Sequence, residues 1–414
     1  MIFINKIKTA SIALVATAAV FMACNKEPEQ FLEPDPLPPT GETIAEQLSS
    51  NDNDSLFTRL VIHSGLMPLL SGGDNNTYTV FAADNAAMKV AINVLSGGLV
   101  PLNAPDAVFS GFITGSVPQA QAAAIVAHAI IPQAATTATF GTGFPNYQYP
   151  TMYNPAPSIS SFVRLDLFPS ARNGNWVNNI PLVGVDQAAS NGIIHHSAVL
   201  VTPPQRYLWN RIDTDPQLTY LKAAILRADS ATVTPTTPGT LQGYLLNIGA
   251  NFTVFAPTDA AFQAILTAAI TQALIAQGAP PATAAAQAAA LASSPTVFQN
   301  PALFPVLTAQ VVQGIVVYHL LDKRAFTNNF PTTPANVPTV LNGFIPSHPG
   351  VEIGVTMGTP FPTAATVKGA ENATPANIIM NPTPLTPDPA GSSDQNFLNG
   401  VLHKIDQVLL PLPL

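Results

Sequence analysis

Two stretches of the chain decide its fold, because one is a near copy of the other. The first reads Tyr78-Thr79-Val80-Phe81-Ala82-Ala83-Asp84-Asn85-Ala86-Ala87-Met88, and the second reads Phe252-Thr253-Val254-Phe255-Ala256-Pro257-Thr258-Asp259-Ala260-Ala261-Phe262. Each begins as an alternating, partly aromatic run that predicts a β-strand. Each then reaches a polar residue, Asp84 or Thr258, that can accept a backbone N–H at the start of a helix. Both copies therefore predict a strand, a tight turn and an amphipathic helix.

Two further pairs of segments repeat in the same order. Ile125-Val126-Ala127-His128-Ala129-Ile130-Ile131 matches Val316-Val317-Tyr318-His319-Leu320-Leu321, with histidine placed against histidine. Asp186–His195 matches Asp394–His403, and each of these contains an Asn-Gly turn that leads into a short β run. The offset between the copies grows along the chain. This pattern indicates a duplication followed by insertions in the second copy.

The first residues have the features of a secretion signal. Lys6 and Lys8 are followed by an apolar run, Thr9–Ala23, that is too short for a comfortable membrane span. Phe21-Met22-Ala23-Cys24 resembles the lipobox of a bacterial lipoprotein, in which cleavage before the cysteine exposes it for acylation. Cys24 is also the only cysteine in the chain. We predict that Cys24 is the lipid attachment site, with palmitate among its acyl chains; the alternative is an ordinary signal peptide with an incidental cysteine.

The segment after the predicted cleavage site is rich in proline. Five prolines lie between Asn25 and Gly41, and proline at this density favours extended, hydrated backbone. We interpret residues 24–43 as a tether that lifts a folded body off a membrane; the alternative is a disordered remnant without a spacer role. Lys26-Glu27 resembles the charged export signals of surface lipoproteins in Bacteroidetes. The predicted location is therefore the cell envelope, lipid-anchored at the outer membrane and exposed at the surface.

The complete predicted organisation follows from these segments. It consists of a lipoprotein signal peptide at 1–23, a tether at 24–43, a first domain at 44–204, and a second domain at 205–414 with insertions near 270–300 and 329–391. Ala282–Ala292, within the first insertion, is nearly all Ala, Gln and Leu, which favours a helix. The second insertion is dense in Pro, Thr and Asn, as in loops or edge strands. We expect both insertions to decorate the outside of the domain and to set the choice of partner.

The composition excludes several classes of function. Charged residues make up 9% of the chain and apolar residues 47%, so the chain can bury sizeable cores. The net charge is −8, and no cluster of Lys and Arg is present to neutralise phosphates, which excludes a nucleic-acid partner. A single cysteine excludes an internal disulfide and a cysteine-based zinc site. The motifs of common catalytic and nucleotide-binding loops are absent from the sequence. We therefore predict no enzyme activity, no metal and no cofactor.

The repeated motifs resemble those of a known family. Thr253–Phe262, the pair Tyr318-His319 and the closing stretch Asn399–Pro411 are similar to the fasciclin (FAS1) domain family, and the similarity extends over about Ile44 to Pro204 and Gln217 to Pro413. This resemblance implies an α+β fold of two tandem wedges, each a β-sandwich core with helices packed along one side. It also implies a protein without a catalytic centre, because family members act as extracellular adhesion and matrix-interaction modules.

The first copy departs from the family pattern at three places. Ala83 stands where proline is usual, and Ala127 stands where the tyrosine of the tyrosine–histidine pair is usual. His196-Ser197-Ala198 replaces a hydrophobic residue and an aspartate. We therefore expect the first copy to keep the fold more completely than any function that the motifs carry.

The histidines of the repeats favour a structural interpretation. His128 and His319 lie in apolar runs, and no partner at metal-ligand spacing accompanies them. His195 and His403 follow the Asn-Gly turns. We interpret all four as buried histidines that hydrogen-bond the backbone. His196 is adjacent to His195 on a predicted strand, so the two side chains should point to opposite faces and cannot share a metal.

Three residues are candidates for contact with a partner. The family resemblance implies that Tyr318 and His319 form part of an adhesion contact. Trp176, set among asparagine, arginine and glycine residues, is the best candidate for an exposed aromatic side chain that could stack on a glycan. The alternative for Trp176 is a loop anchor.

Two short motifs resemble sites of modification, and one of them overlaps a run of oxygen ligands. Asp54-Ser55-Leu56 and Asp229-Ser230-Ala231 resemble the O-glycan acceptor of Bacteroidetes-type bacteria, which makes Ser55 and Ser230 candidate glycosylation sites. Asn51–Ser55 offers alternating oxygen ligands but lacks the later glycine and glutamate of a calcium loop. We interpret this run as a helix-initiating cap, with a calcium site as the alternative.

Three functions remain open from the sequence. The leading one is a non-enzymatic, lipid-anchored envelope protein that mediates adhesion or a surface or matrix interaction. The alternative is a surface accessory protein that binds or processes glycans, and a third is a spacer between the membrane and another module. The expected partners are the membrane, through the lipid anchor, and an unidentified protein or glycan at the cell surface.

Overall fold

The computed structural model of the protein describes residues 41–74, 76–230 and 239–412. The predicted signal peptide, Cys24 and the tether up to residue 40 lie outside these ranges. Contacts divide the chain after Gly41, and Glu42–Leu414 form one unit. Within this unit we call residues 42–204 lobe 1 and residues 205–412 lobe 2. The contacts do not separate the two lobes, so the domain boundary at 204/205 stays a prediction.

In each lobe, α-helices of the described residues precede and follow the first strand. In lobe 1 they are α1 Ile44–Ser50, α2 Ser55–Ser64, α3 Asn85–Leu95, α4 Asp106–Ser116 and α5 Gln119–His128. In lobe 2 they are α6 Leu208–Thr214, α7 Thr219–Asp229, α8 Leu241–Tyr244, α9 Asp259–Ala276, α10 Pro281–Leu291 and α11 Ala309–Tyr318.

The strands are mostly short. In lobe 1 they are β1 Tyr78–Ala83, β2 Ile130–Ile131, β3 Tyr149–Pro150, β4 Asp166–Leu167, β5 Pro169–Ser170, β6 Trp176–Val177, β7 Ile180–Ala189 and β8 Gly192–Ser197. In lobe 2 they are β9 Phe252–Pro257, β10 Leu320–Leu321, β11 Ala335–Val337, β12 Val351–Met357, β13 Pro362–Lys368, β14 Ala376–Asn377, β15 Gln395–Phe397 and β16 Gly400–Ile405. The mixture of helices and sheets confirms the α+β class.

Both lobes are built around the same parallel strand pair. β1 pairs in parallel with β8, and β9 pairs in parallel with β16. A short antiparallel strand, β2 or β10, lies on the other side of β1 or β9. The sheet orders are β2-β1-β8-β7-β6-β5 in lobe 1 and β10-β9-β16-β15 in lobe 2. The first four positions therefore correspond, as expected of a duplicated unit.

The polar residues after β1 and β9 cap two helices in each lobe. Asp84 accepts from the N–H of Ala87 at the start of α3, and Thr258 does the same at α9, which confirms the predicted caps. The next residue in each copy reaches a second helix. Asn85 accepts from the N–H of Leu56 in α2 at 2.9 Å. Asp259 accepts in the same way from the N–H of Tyr220, at the start of α7, at 3.0 Å. One turn thus fixes two helix starts in each lobe.

Helices cover one face of the lobe 1 sheet, and strands cover the other. Val80 and Ala82 of β1 lie in a core formed with α1–α5. Phe81, between them, lies in a second core with Phe140 and Val177. This follows from the pleat, since successive side chains of a strand point to opposite faces. The expectation of helices along one side holds for this lobe.

The second insertion forms part of the lobe 2 core, so the expectation that it lies outside is wrong. Its strands make a four-stranded sheet, β11-β12-β13-β14. Val351, Ile353 and Val367 from this sheet are fully buried in the same core as Val254 of β9. The alternation in Val351–Met357 provides the reason, because it turns every second side chain inward.

The first insertion forms a helical hairpin. α10 confirms the helix predicted for the alanine-rich run, and Ala284 and Ala288 are its buried residues. The preceding helix, α9, is long and apolar enough to cross a membrane by length and composition. Its buried side chains, which include Phe262 and Ile270, belong to the lobe 2 core. Because 22% of this helix is buried, packing in the core accounts for part of its apolar character.

Amide side chains join the two lobes. Asn173 of lobe 1 donates to the carbonyl of Asn328 at 2.8 Å, and Asn328 donates back to the carbonyl of Asn178 at 3.1 Å. Ser170 donates to Asn329 Oδ1 at 2.9 Å. These hydrogen bonds between the lobes are consistent with lobe 1 and lobe 2 forming one compact unit.

A buried arginine lies beside this junction. Arg324 of lobe 2 is stacked over the ring of Phe168 of lobe 1, 5.0 Å from the ring centroid. Its guanidinium donates to the side chains of Asn251 and Asn396 at 2.9 and 2.8 Å. Burial lowers the pKa of Arg324 to about 10, and the nearby carboxylate of Asp166 opposes that shift. Arg324 stays charged at neutral pH and ties both lobes together.

Candidate interaction site

The repeated Asn-Gly turns fasten the first helix of each lobe to its central strands. Asn191 accepts from the N–H of Ile44 at 2.8 Å. Asn399 accepts from the N–H of Leu208 at 3.0 Å. These asparagines therefore hold the fold together and are not available for a ligand.

The histidines after these turns have a structural role in both lobes, as predicted. His195 Nδ1 accepts from the N–H of Asp186 at 3.2 Å, and His195 Nε2 donates to the carbonyl of Ala135 at 2.9 Å. His403 makes the same two bonds in lobe 2, at 3.1 and 2.9 Å. Burial lowers the pKa of both histidines, and the accepting nitrogen requires the neutral form.

Tyr318 is fully buried. Its hydroxyl donates to the carbonyl of Gly350 at 2.6 Å and accepts from the N–H of Ala370 at 2.8 Å. Burial raises its pKa. The side chain therefore connects the end of α11 to the inserted sheet and does not reach the surface.

His319 is also buried and satisfied by backbone groups. Its Nδ1 donates to the carbonyl of Ile315, and its Nε2 accepts from the N–H of Leu409, each at 2.8 Å. Burial lowers its pKa to about 4. A partner that contacts this region would therefore meet the neighbours of Tyr318 and His319, since neither side chain is exposed.

Strand register corrects the alignment of the two copies at this point. β1 pairs with Ile130 and Ile131, whereas β9 pairs with Leu320 and Leu321 at the corresponding positions. His128 therefore occupies the place of Tyr318, and the place of His319 is taken by an alanine. The sequence alignment, which set histidine against histidine, was shifted by one residue. The residue at the position of Tyr318 is therefore His128 rather than Ala127.

His128 differs from the other buried histidines because neither ring nitrogen has a hydrogen-bond partner. The prediction that it bonds the backbone is therefore wrong, although it is fully buried as expected. Its ring lies edge-on to Tyr153, with centroids 6.4 Å apart. Burial, together with the positive charge of Arg324, lowers the pKa of His128 to about 3.

Replacing His128 with leucine should make the protein more resistant to acid. The folded-state pKa lies below that of the unfolded chain, so the wild type loses stability as the pH falls below about 6.5. Between pH 6.5 and 5 the loss is about 2 kcal/mol from this residue. Urea unfolding of His128→Leu across this range should show a shallower decline than the wild type.

The variant His128→Gln separates titration from polarity. It cannot titrate but keeps unpartnered polar atoms, so it should share the shallower pH dependence while being less stable than His128→Leu at pH 7.5. Equal slopes for the wild type and both variants would show that His128 does not control acid stability.

Trp176 is not an exposed aromatic side chain, so that prediction is wrong. It is 1% exposed, and its indole N–H donates to the carbonyl of Asn173 at 3.2 Å. Its ring meets the ring of Phe361 of lobe 2 edge-on, with centroids 5.9 Å apart. The loop-anchor alternative is correct, and Trp176 helps to hold the lobes together.

The sequence analysis missed a buried ionic cluster in lobe 2. Arg211 lies 2.8 Å from Asp215 and 2.6 Å from Asp388, and Lys404 lies 2.6 Å from Asp215. Arg206 contacts the other oxygen of Asp388 at 2.7 Å. The only sequence signal was the spacing of Arg211 and Asp215, one helical turn apart. Each of the two carboxylates contacts two of the three cations, which is the arrangement of a structural cluster.

In lobe 1 a histidine–carboxylate pair occupies the corresponding strand position. His196 Nε2 lies 3.1 Å from the buried carboxylate of Asp54. The hydrogen bond that His196 donates to Asp54 raises the pKa of His196 against the effect of burial. Asp54 makes no side-chain cap at α2, so the predicted helix cap is wrong at this residue. As predicted, His196 and His195 have separate surroundings on opposite faces of β8.

The two candidate glycosylation sites have exposed serines beside buried aspartates. Ser55 and Ser230 are both exposed. Asp54 and Asp229 are buried, and the carboxylate of Asp229 accepts from the N–H of Leu241 at 2.9 Å. In the folded chain an enzyme could reach each serine but not the aspartate that completes its motif.

A groove of about 400 Å³ opens between the lobes. It is lined by Asn178–Ile180, Val199–Arg206, Leu385–Asp388 and Asp394–Phe397. The amides of Asn179 and Gln205 and the hydroxyl of Thr202 supply polar groups, while Pro203 and Pro204 supply flat apolar surface. Of the ionised groups in the groove, Arg206 is paired with Asp388, and Asp394 accepts hydrogen bonds from the backbone N–H and the hydroxyl of Thr327. The groove can therefore accept a neutral or weakly polar surface.

The described residues contain no group of three or more His, Cys, Asp or Glu side chains that could hold a metal ion. The histidines of the repeats are bonded to backbone or, for His128, isolated. Within the described part of the chain, the geometry therefore brings together side chains that hold strands and lobes in place. The Tyr318 and His319 pair, Trp176, Ser55 and Ser230 lie at separate places.

Comparison with known proteins agrees with this description of lobe 2. Residues 239–411 match the fasciclin domain family. No curated protein matches the chain. Among solved structures, the chain is similar to a FAS1 domain pair from the insect cell adhesion molecule fasciclin I, at 14% identity and a TM-score of 0.31, over 87% of this chain and 98% of that one. Residues 239–411, which lie in lobe 2, are therefore similar to the fasciclin domain family.

Proposed function

We propose that the protein is a non-enzymatic envelope protein that mediates adhesion or a surface interaction and is anchored through a lipid on Cys24. The observation that carries this proposal is the fasciclin domain at residues 239–411. Tyr318, His319 and His403 are buried and bonded within the fold, so other, exposed groups would make the contact. Recognition then depends on surface shape and uncharged polar groups.

The groove between the lobes is the contact surface that we assign to this function. Its neutral lining suits a partner that approaches without long-range electrostatic steering, as the low charge of the chain predicts. Amide and hydroxyl groups around it also suit the hydroxyls of a glycan. This lining is the observation that keeps glycan binding as the second candidate.

Filling the groove tests the contact surface. Thr202→Arg and Gln205→Arg place long side chains at exposed positions on its rim, and both should weaken the attachment of beads coated with the full chain to the envelopes of producing cells. Thr114→Arg and Gln277→Arg, at exposed positions outside the groove, are the matched controls. Unchanged attachment in the groove variants would remove the groove from the proposal. A glycan array, probed with the same four variants, distinguishes sugar binding from protein binding.

The lipid anchor has its own test. Cells that express the full chain should incorporate labelled palmitate into the wild type and lose the label in Cys24→Ala. Retention of label in Cys24→Ala would show that Cys24 is not the attachment site. Separation of inner and outer membranes, followed by protease treatment of intact cells, then tests the outer-membrane and surface location.

A further inference from the structure

Lobe 1 exposes six large aliphatic side chains within one short stretch. They lie on α3, on the loop after it and on the first turn of α4, and they are Val90, Val94, Leu95, Leu99, Leu102 and Val108. We call this surface the aliphatic patch. Leu99 is its most exposed member, at 87%. Six exposed large aliphatic side chains within residues 90–108 favour a contact surface over scattered surface residues.

The aliphatic patch carries no net charge. Lys89 and Asp106 are the only charged residues between Asn85 and Ser116, and they are paired at 2.6 Å. This ion pair also joins α3 to the first turn of α4 and so fixes the two ends of the loop between them. The loop carries Gly97 and Gly98 at positive φ, which shapes the turn that presents Leu99.

The patch is not a requirement of the fold. In lobe 2, α9 and α10 follow the corresponding strand. Among the described residues 259–308, Val306 is the one large aliphatic side chain that is strongly exposed. The helical hairpin there exposes mainly alanine, threonine and glutamine. Lobe 1 therefore has an apolar surface that its counterpart lacks.

The position of lobe 1 along the chain indicates which surface the aliphatic patch contacts. This step rests on the proposed anchor at Cys24. Eighteen residues, from Cys24 to Gly41, separate the anchor from the start of lobe 1, and a chain of that length spans at most about 60 Å. Lobe 1 therefore begins within about 60 Å of the anchor, which gives it a high effective concentration at the bilayer surface.

We propose that the aliphatic patch is a lipid-contacting surface, whose leucine and valine side chains enter the interfacial region of the bilayer that holds the anchor. Contacts between proteins favour tyrosine, tryptophan and arginine at their centres, and the patch has none of these. Its one cation, Lys89, is paired with Asp106, so the patch lacks the free cationic residues that anionic lipids would require. The matching lipid surface is a neutral one, and the contact should be insensitive to salt.

A single-cysteine label tests this directly. Cys24 is the only native cysteine and is blocked once acylated, so Leu99→Cys in the full, acylated chain adds one reactive thiol. A polarity-sensitive fluorophore at this position should shift to the blue in phosphatidylcholine vesicles. A quencher on the lipid acyl chains should then quench it several-fold more than the same label at Phe162→Cys. Phe162 is the matched control because it is equally exposed in lobe 1, at 89%.

Adding Val94→Ser and Leu102→Ser to the Leu99→Cys chain should reduce the quenching and leave flotation with the vesicles unchanged. A chain that floats while its label stays in water overturns the lipid contact but leaves the anchor intact. A chain that does not float contradicts the anchor and, with it, the premise of this inference. A blue shift that appears without vesicles and grows with protein concentration would assign the patch to a second copy of the chain and overturn the lipid contact.

Discussion

Replacing Gly192 with alanine is expected to lower the free energy of unfolding by about 3 kcal/mol. A Cβ atom at this position would lie 1.9 Å from the carbonyl oxygen of Tyr78, on the neighbouring parallel strand. The residue also has a φ of +152°, which side chains rarely adopt. Neither backbone can move without opening the pair of β1 and β8, on which lobe 1 is built.

The second copy offers the same experiment at Gly400. Its added Cβ would lie 2.3 Å from the carbonyl oxygen of Phe252, so Gly400→Ala should be comparably destabilising in lobe 2. Urea unfolding measures both losses, and hydrogen exchange places each one in its own lobe. Gly314→Ala is the matched control. It lies within α11 with open space around it, and should stabilise the protein by about 0.5–1 kcal/mol.

If Gly192→Ala behaved like Gly314→Ala, the parallel pairing of β1 and β8 would be wrong. Exchange protection lost equally from both lobes would instead show that they unfold as one unit. The two outcomes are separable, because the first concerns the size of the loss and the second concerns its location.

These glycines show how far the sequence predicts the fold. The Asn-Gly dipeptides predicted turns, since both residues tolerate turn backbone. The close approach to Tyr78 was hidden, because that strand lies far away in the sequence and only the assembled sheet brings the two together. The repeat itself was visible because order and residue type were preserved over several motifs.

His128 shows where local similarity misleads. Matching histidine to histidine maximised identity in a short segment, but the pairing of Ile130 with β1 sets the true equivalence one position away. A shift of one residue exchanges the two faces of a strand. The sequence could not reveal the shift, because the constraint comes from hydrogen bonds to a strand that is distant in sequence.

The predictions for Trp176 and for the second insertion were wrong for a related reason. Tryptophan among asparagine and glycine is typical of an exposed loop, yet lobe 2 covers Trp176 with Phe361. The proline-rich composition of the second insertion suggested surface loops and concealed the alternation around Ile353 that leads into the core. In both cases packing between distant segments decided burial, and composition carried no signal of it.

The buried ionic cluster was even less visible, because its members come from three separate segments. Arg211 and Asp215 lie on and just after α6, Asp388 lies in the second insertion, and Lys404 lies on β16. Sequence reasoning pairs charges along one helix, but it cannot bring a loop and a strand to the same place. Because its cations and carboxylates contact one another, the cluster allows several of the few charged side chains of this protein to be buried.

Arg211→Met is expected to cost about 3–5 kcal/mol, because it leaves the carboxylates of Asp215 and Asp388 in the interior with one cation fewer. Arg206→Met is the matched control, since Arg206 pairs with the same Asp388 but is partly exposed, and it should cost about 1 kcal/mol or less. Urea unfolding at pH 7 measures both.

Burial raises the pKa of Asp215, but the hydrogen bond from Lys404 and the charge of Arg211 outweigh it and lower the pKa overall. A lowered carboxyl pKa stabilises the fold above the unfolded pKa, near 4, and that stability is lost as the pH falls through the folded value. The difference between Arg211→Met and the wild type should therefore shrink in acid, whereas a loss that stayed constant with pH would show that Arg211 acts by packing alone.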